Sequence, residues 1–357
     1  MRIAAMLASV LFVLAVLASL IPLVAVAQPG DYSSLTAEAR ARYFNEEYTQ
    51  ALELYRKAFA IGKPGLADLR YAAFCAAQEG QTDQAFAYLE EGVPAGMAGS
   101  EWLEQLERDR ELARLRPDPR WKNLQAAMLK RGVEIESSFP EARAEGTLID
   151  LPAPVLKGSV SVEEALHNRR SIRVYADTTL ALAEVSQILW AAYGITEPAG
   201  DGHDHHRGGL RTAPSAGACY PLEIYLVARR VDGLAPGVYW YKSETHQLMS
   251  TPGGDRWDGL ADATLGQGHF KTAAAAIVYS AIYGRTTSVY GERGRERYVC
   301  MDLGHSGENV YLEAYALGIG TCAVGSFMDL NVKQVIGMTR PEEPLYIMPL
   351  GRMRSNE

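Results

Sequence analysis

Three arginines and one serine lie close together, at Arg169, Arg170, Ser171 and Arg173. A guanidinium group stays charged at any cellular pH and binds planar oxyanions such as phosphate through two parallel hydrogen bonds. The cluster therefore predicts a site for a ligand that carries a phosphate at one end. Spacing alone leaves a solvated basic turn as the alternative, because such clusters are common on protein surfaces.

Two other stretches contain residues that could do chemistry. The first combines proline with small residues, at Pro214, Ser215, Ala216 and Gly217. Small residues before a strand allow backbone N–H groups to approach a flat ligand closely, although a tight turn would use the same residues. The second is a loop that contains His203, His205 and His206. Clustered imidazoles can bind metal, but no predicted helix or strand fixes these three, which favours a solvated loop.

The elements that must position these groups alternate between helix and strand from residue 158 onwards. Ser161 and Glu164 have the spacing of a capping box, which predicts a short helix directly before the arginines. Apolar spacing predicts a helix over residues 182–193 and a longer one that ends at Gly318. Apolar runs predict strands at residues 222–227, 236–241, 273–279 and 345–350.

Six motifs of this region resemble, in order, those of a known enzyme family. The arginine stretch and residues 212–221 resemble the two opening signatures of the nitroreductase family of flavoenzymes, and more narrowly those of its SagB-type dehydrogenase branch. Residues 290–294, 302–305, 317–320 and 344–351 are also similar to that branch. Together with the preceding helix the motifs span residues 161–352, a little over half of the chain.

The resemblance implies an α+β, nitroreductase-like domain over residues 158–357, with three α-β-α layers and a mostly antiparallel sheet. It implies an FMN-dependent oxidoreductase of the oxidase, dehydrogenase or nitroreductase type. Such an enzyme transfers a hydride between flavin N5 and a small molecule or a peptide. The resemblance also implies a homodimer with FMN at the subunit interface. From the spacing of the cysteines and histidines we predict no metal site.

The same resemblance assigns residues to the cofactor. The arginine stretch holds FMN, with Arg170 on the phosphate and Arg352 reaching the phosphate from the C-terminal end of the chain. Residues 214–217 line the edge of the flavin ring. The other side of the ring faces a glycine-rich segment made of Gly318, Gly320, Thr321 and Gly325.

One residue is predicted to be catalytic. Azoline-oxidising members of the branch carry a Lys-Tyr pair directly before a Gly-x-Arg-Gly element, and the corresponding pair here is Val289-Tyr290. Valine cannot act as a general base, so the resemblance does not extend to azoline oxidation. Tyr290 is the candidate proton donor or substrate contact.

Composition limits the classes of partner and site. The chain has 357 residues, of which 48% are hydrophobic and 22% charged, which is typical of a globular protein with room for two domains. The net charge of -8 disfavours nucleic acid and anionic membrane surfaces as partners. The four cysteines have neither zinc-site nor disulfide-scaffold spacing, and most are expected to be buried apolar residues.

The first 27 residues have the pattern of a secretory signal peptide. Arg2 precedes an apolar run over residues 3–26, and Ala25-Val26-Ala27 provides a cleavage site. An uncleaved anchor helix is the alternative, because the run is long enough to span a bilayer. Both interpretations predict an exported protein, periplasmic or extracellular. NAD(P)H is a cytoplasmic reductant, so we expect an oxidase that passes electrons from its substrate to oxygen or a quinone.

Residues 32–130 are predicted to be helical throughout. A pattern at Ala51 recurs 34 residues later at Ala85, which is the tetratricopeptide period, and a third, atypical unit follows. The repeat could form a concave surface for a peptide or protein, or a small bundle that only packs on the next domain. Residues 131–157 are predicted to be a linker. The competing function is a degenerate flavin-fold binding protein whose helical repeats capture a partner.

Overall fold

The computed structural model describes residues 30–199 and 208–354. The predicted signal segment and the three clustered histidines, His203, His205 and His206, lie outside the described residues. Within the described ranges, no helix is long and apolar enough to cross a membrane.

The N-terminal part of the described chain is a helical unit. Its helices are α1 (Tyr32–Phe44), α2 (Tyr48–Ile61), α3 (Leu66–Gln78), α4 (Thr82–Ala95), α5 (Gly99–Arg108) and α6 (Pro119–Ser138). Helices α1 and α2, α3 and α4, and α5 and α6 pack as consecutive hairpins. Ala51 and Ala85, the two residues that define the predicted repeat, are fully buried where helices cross. The helical prediction is confirmed, and the tetratricopeptide assignment stays a prediction.

The segment predicted to be a linker is partly regular structure. Helix α6 continues through Arg131 and Gly132 to Ser138, and strand β1 (Leu148–Asp150) joins the sheet. Gly132 lies inside the helix because α5 begins against it: a Cβ at Gly132 would stand 2.6 Å from the Cα of Gly99. The glycine therefore allows two helices to cross closely and does not end the helix.

Between α6 and β1, one side chain anchors the chain to the C-terminal unit. The Arg143 guanidinium lies 2.8 Å from the carboxylate of Glu342, which is fully buried, and stacks on Trp240 at 4.2 Å from the ring centroid. The ion pair buries two opposite charges together, and the Trp240 ring covers the guanidinium group. These contacts hold the segment between the two units in place.

The C-terminal unit is a sheet covered by helices. After β1 its elements are α7 (Val162–Asn168), α8 (Leu182–Tyr193), β2 (Ile195–Pro198), β3 (Gly209–Arg211), β4 (Leu222–Ala228), β5 (Gly237–Lys242), β6 (Gln247–Ser250), α9 (Trp257–Ala263), β7 (Ala275–Ile282), α10 (Gly284–Tyr290), α11 (Val299–Ala316), β8 (Ile319–Thr321), α12 (Asp329–Ile336) and β9 (Glu342–Arg352). Seven strands form one antiparallel sheet in the order β1-β6-β5-β4-β7-β9-β8.

The buried faces of this sheet follow the sequence pattern. Every residue of β4 and nearly every residue of β7 is buried, as expected of central strands that are covered on both sides. Apolar clusters fill both faces, with α8 and α11 on one side and α9 and α12 on the other. The predicted α+β class with a mostly antiparallel sheet between helices is confirmed.

A buried hydrogen-bonded contact joins the two units. The indole N–H of Trp102 in α5 donates to Asn331 Oδ1 in α12 at 2.7 Å, and the amide of Asn331 donates to the Gly96 carbonyl at 2.9 Å. At a second point the Arg40 guanidinium donates to the Gly266 carbonyl at 2.9 Å. The helical unit is therefore docked on the C-terminal unit by specific polar contacts.

Candidate functional site

The arginine stretch leaves α7 and runs along the outer edge of the sheet. Ser161 caps α7 as predicted, accepting a hydrogen bond from the Glu164 backbone N–H at 3.1 Å. After the helix, the backbone N–H of Ile172 donates to the Thr321 carbonyl at 2.9 Å, so the stretch is fixed beside β8. This contact brings the arginines together with Gly320 and Thr321, and we call the group the arginine half-site.

The three arginines of this half-site differ in how they are held. Arg169 stacks on the Tyr311 ring at 5.2 Å and lies 3.8 Å from the Glu308 carboxylate. The Arg170 guanidinium is exposed and, among the described residues, donates to two backbone carbonyls, those of His167 at 2.9 Å and of Arg169 at 2.8 Å. Arg173 is also exposed. Among the described residues, no carboxylate forms an ion pair with Arg170 or Arg173, so both charges are available to an anion.

Arg352 ends β9 next to this half-site, but its guanidinium is already engaged. It donates to both carboxylate oxygens of Glu184 in α8, at 2.7 and 2.8 Å, and to the Leu317 carbonyl at 3.0 Å. Gly318 lies beside it, in the left-handed conformation (φ +68°) that ends α11. Arg352 therefore holds the turn between α11 and β8. Its predicted contact with a phosphate remains a prediction.

Two buried polar atoms near the arginine half-site have no partner within the described chain. The Thr321 hydroxyl and the Nε2 atom of His269 are buried without a hydrogen bond to any described residue. Burial and the nearby Arg173 charge lower the pKa of His269. Buried polar groups in folded proteins are nearly always hydrogen-bonded, so these two atoms could bond to an ordered water or to a polar ligand. Gly325, four residues after Thr321, is exposed, and a Cβ added to it would meet no heavy atom closer than 3.7 Å.

The proline-containing stretch forms a second group, which we call the loop half-site. The Ser215 hydroxyl donates to Asp302 at 2.5 Å, and the Ala216 backbone N–H donates to the same carboxylate at 3.3 Å. Burial raises the pKa of Asp302 against the effect of these donors. Pro214 and Gly217 are exposed, and Gly217 has a positive φ of +60°.

The predicted catalytic tyrosine belongs to the loop half-site. Tyr290 ends α10, and a Cβ added to Gly217 would lie 2.5 Å from its hydroxyl. The ring packs edge-on against Tyr298 with centroids 4.9 Å apart. The structure thus brings Tyr290 to the predicted ring-edge loop and leaves it partly exposed.

Helix α11 carries both half-sites, on different sides. Asp302 binds the loop half-site, and Tyr311 contacts the arginine half-site. An α-helix turns by about 100° and rises by about 1.5 Å per residue. Nine residues therefore separate the two contacts by about 14 Å along the axis and by about half a turn around it. The half-sites of one chain lie on opposite sides of this helix.

Tyr311, which the sequence did not identify, organises the arginine half-site. Its hydroxyl accepts a hydrogen bond from the Ala323 backbone N–H at 2.7 Å and lies 3.1 Å from Ser171 Oγ. Its ring supports Arg169. Nothing in the local pattern distinguishes this tyrosine from an ordinary helix residue, because its partners lie 12 and 140 residues away.

Comparison with known proteins identifies the family. Residues 166–352, more than half of the chain, match the model of the nitroreductase family. The chain belongs to the nitroreductase family. The matched range includes both half-sites.

Individual relatives agree with this assignment. The chain is 41% identical over 207 residues to a candidate nitroreductase of Methanocaldococcus jannaschii, covering 58% of this chain and 98% of that protein. It is 28% identical over 130 residues to the trifolitoxin-processing protein of Rhizobium leguminosarum bv. trifolii, 35% of each chain. A nitroreductase-like crystal structure from Anabaena variabilis matches with a TM-score of 0.50 and 28% identity, covering 58% of this chain and 42% of that one. The chain thus spans less than half of the length of the last two.

Nitroreductase-family proteins are oxidoreductases that bind flavin, so this chain is an oxidoreductase of a flavin-binding family. The fold prediction and the recognised family are confirmed. The residues of the arginine half-site fit such a cofactor, because within the described chain they offer unpaired cations and an unpaired buried hydroxyl in one place.

Proposed function

We propose that the protein is an FMN-dependent oxidoreductase that transfers a hydride between flavin N5 and a small-molecule or peptide substrate. The arginine half-site is the observation that carries this proposal. Arg170 and Arg173, which have no carboxylate partner among the described residues, lie beside the Thr321 hydroxyl. A folded protein gains little stability from like charges kept together, whereas a phosphate or a reduced flavin would pair with them.

The residues then have separable roles. Arg170 binds the phosphate, and Arg173 provides positive charge toward the pyrimidine edge of the flavin. Ser171 and Thr321 provide hydroxyl groups, and Arg169 is held in position by Tyr311 and Glu308. FMN, when bound, supplies the atom that exchanges the hydride; positive charge near its N1 and O2 atoms favours the reduced form.

We further propose that the active unit is a homodimer in which the loop half-site of one chain completes the arginine half-site of the other. The positions of Asp302 and Tyr311 on opposite sides of α11 support this, since one ligand cannot easily contact both in a single chain. Apolar side chains beside the site also support it. Val162 and Leu166 of α7 are 65% and 55% exposed, four residues apart on one helical face.

The substrate proposal includes peptides because of one relative's name. The Rhizobium relative is a trifolitoxin-processing protein. Val289 next to Tyr290 provides no general base, so we limit the role of Tyr290 to donating a proton or contacting the substrate.

We also propose that the enzyme acts outside the cytoplasm, as the sequence of residues 1–27 supports. An exported enzyme has no supply of NAD(P)H. Its electrons would come from the substrate and pass to oxygen or a quinone.

The visible absorption spectrum of the purified protein tests the cofactor proposal. We expect flavin bands and the release of FMN on heating. Arg170→Ala removes a charge-assisted contact of about 1.5–3 kcal/mol and should raise the Kd for FMN by about 10- to 100-fold.

The matched control is Arg110→Ala, which removes an exposed arginine in the helical unit. It should leave FMN binding unchanged. A colourless protein that takes up no added FMN would overturn the proposal, as would an Arg170→Ala variant that binds FMN as tightly as the wild type.

A further inference from the structure

A large cavity lies at the junction of the helical unit and the oxidoreductase unit, and none of its lining residues belongs to either half-site. Its volume is about 640 Å³, within the range of small-ligand pockets, which commonly form at domain interfaces. Its walls come from α1, from the turn between α2 and α3 and the first turn of α3, from α9, from the segment after α9 and from α12, together with Ala95 and Arg229. Arg229 donates to the Lys271 carbonyl at 2.8 Å. We call it the junction cavity.

One part of the wall is acidic. Asp258 and Asp262 lie four residues apart on α9, so both line the cavity from one helical face. Burial and the neighbouring Asp68 raise the pKa of Asp262 to about 6. The carboxylate touches the start of α3, where a Cβ at Gly65 would stand 2.6 Å from Oδ1. Among the described residues, neither Asp258 nor Asp262 forms an ion pair.

Another part is basic. Lys63 lies in the turn before α3 and Lys271 in the segment after α9, and both line the cavity. The pKa of Lys271 is lowered by partial burial of its ammonium group and by the charge of Arg40. Arg40 pairs with Asp68 at 2.8 Å, and its charge also offsets part of the rise in the pKa of Asp262. Neither lysine pairs with a carboxylate anywhere in the described chain.

The cavity therefore holds carboxylates and ammonium groups that form no ion pair with each other within the described chain. Asp262 is half-buried, and a half-buried charge is costly unless a partner arrives, whereas Asp258, Lys63 and Lys271 are exposed. A ligand with one cationic and one anionic end would supply partners of both signs. We propose that the junction cavity binds a zwitterionic ligand, an amino acid or a short peptide with free termini. Its ammonium group pairs with Asp262 and its carboxylate with Lys63 and Lys271. The lining residues of this cavity differ from those of the two half-sites, and the proposal does not depend on the proposed reaction.

Calorimetric titration of the full protein tests the proposal with defined probes. Alanine and trialanine carry both termini, whereas N-acetyl-trialanine lacks the cation and trialanine amide lacks the anion. We expect binding of at least one of the two zwitterions, and about 10-fold or greater weakening for each blocked peptide. Comparing alanine with trialanine distinguishes a single amino acid from a peptide.

Variants locate the binding. Asp262→Asn removes the charge and keeps an oxygen that can accept from the Leu66 backbone N–H, the donor that lowers the pKa of Asp262. Lys271→Gln removes the opposite charge. Each variant should raise the Kd for the zwitterion by about 10-fold. The control is Lys57→Gln, at an exposed residue of α2 that does not line the cavity, and it should leave the Kd unchanged.

Circular dichroism and the thermal midpoint check that each variant is folded. The absence of binding by both zwitterions at millimolar concentration would overturn the proposal. Equal binding of blocked and free peptides, or wild-type affinity in folded Asp262→Asn and Lys271→Gln variants, would also overturn it.

Discussion

Asn331 offers a direct test of how the two units are joined. Asn331→Ala removes the acceptor of the Trp102 indole N–H at 2.7 Å and the donor to the Gly96 carbonyl at 2.9 Å. Trp102 is fully buried, so its N–H cannot turn to water. An unsatisfied buried group costs about 1–3 kcal/mol, so two such groups cost about 2–6 kcal/mol.

Urea denaturation followed by far-ultraviolet circular dichroism measures this cost. With an m-value of about 3 kcal/mol/M for a chain of this size, the midpoint should fall by about 1 M. The helical signal should be lost earlier than the signal from the C-terminal unit, because the contact couples the two. Trp102→Phe alone should also lower the urea midpoint. In the variant that carries both Asn331→Ala and Trp102→Phe, the midpoint should fall by less than the sum of the two single decreases, because both changes break the same hydrogen bond.

Gln334→Ala is the matched control, since Gln334 is an exposed residue of the same helix for which the structure shows no side-chain hydrogen bond to the described residues. It should leave the midpoint nearly unchanged. If Asn331→Ala unfolds at the same urea concentration as Gln334→Ala, the docking contact contributes no stability and the reasoning is refuted.

Two further predictions concern the arginine half-site and the other contacts between units. Tyr311→Phe leaves the Ala323 N–H without its acceptor and should raise the Kd for FMN by about 10-fold in a fluorescence titration, with unchanged helix content; unchanged affinity would contradict the positioning role. Burial and Asp329 raise the pKa of Glu101 to about 7, so the folded state holds this proton more tightly than the unfolded chain, where the group titrates at about 4.3. The stability that this proton contributes is complete at low pH and is lost as the pH rises through about 7. Glu101→Gln can still accept the Asp329 N–H, so this variant should show a smaller decline of Tm with rising pH than the wild type. An unchanged slope of Tm against pH would contradict the prediction.

Local signals made much of the architecture predictable. The helix over residues 182–193 has the bounds expected from its apolar spacing, because residues that recur with the helical period lie on one face only if the segment is helical. The strands 222–228 and 275–282 could be recognised from their continuous apolar runs, because a central strand is buried on both faces. Contacts between distant parts of the chain were not predictable. Glu184 engages Arg352 across 168 residues, and no pattern within either element indicates the other.

One glycine is required by helix packing and not by backbone conformation, so its effect on the helix could not be predicted from the sequence. Gly132 follows an arginine and a helical pattern, which resembles a helix end, yet it permits the crossing of α5 and α6. The division of the site into two halves also needed the structure, since the sequence orders the motifs without showing which side of α11 each one faces.

The arginine stretch has a second consequence, for solubility. Strand β8 is the last strand of the sheet, and an open sheet edge exposes N–H and C=O groups on which another chain can add a strand. Ser171 pairs with Thr321 in a parallel bridge, and Ala176 pairs with Arg352. The residues that present cations to a cofactor thereby also cover the sheet edge. Substitutions that displace this stretch would expose the unpaired edge of the sheet and also disrupt the binding site. Loss of activity in such variants should therefore be accompanied by aggregation.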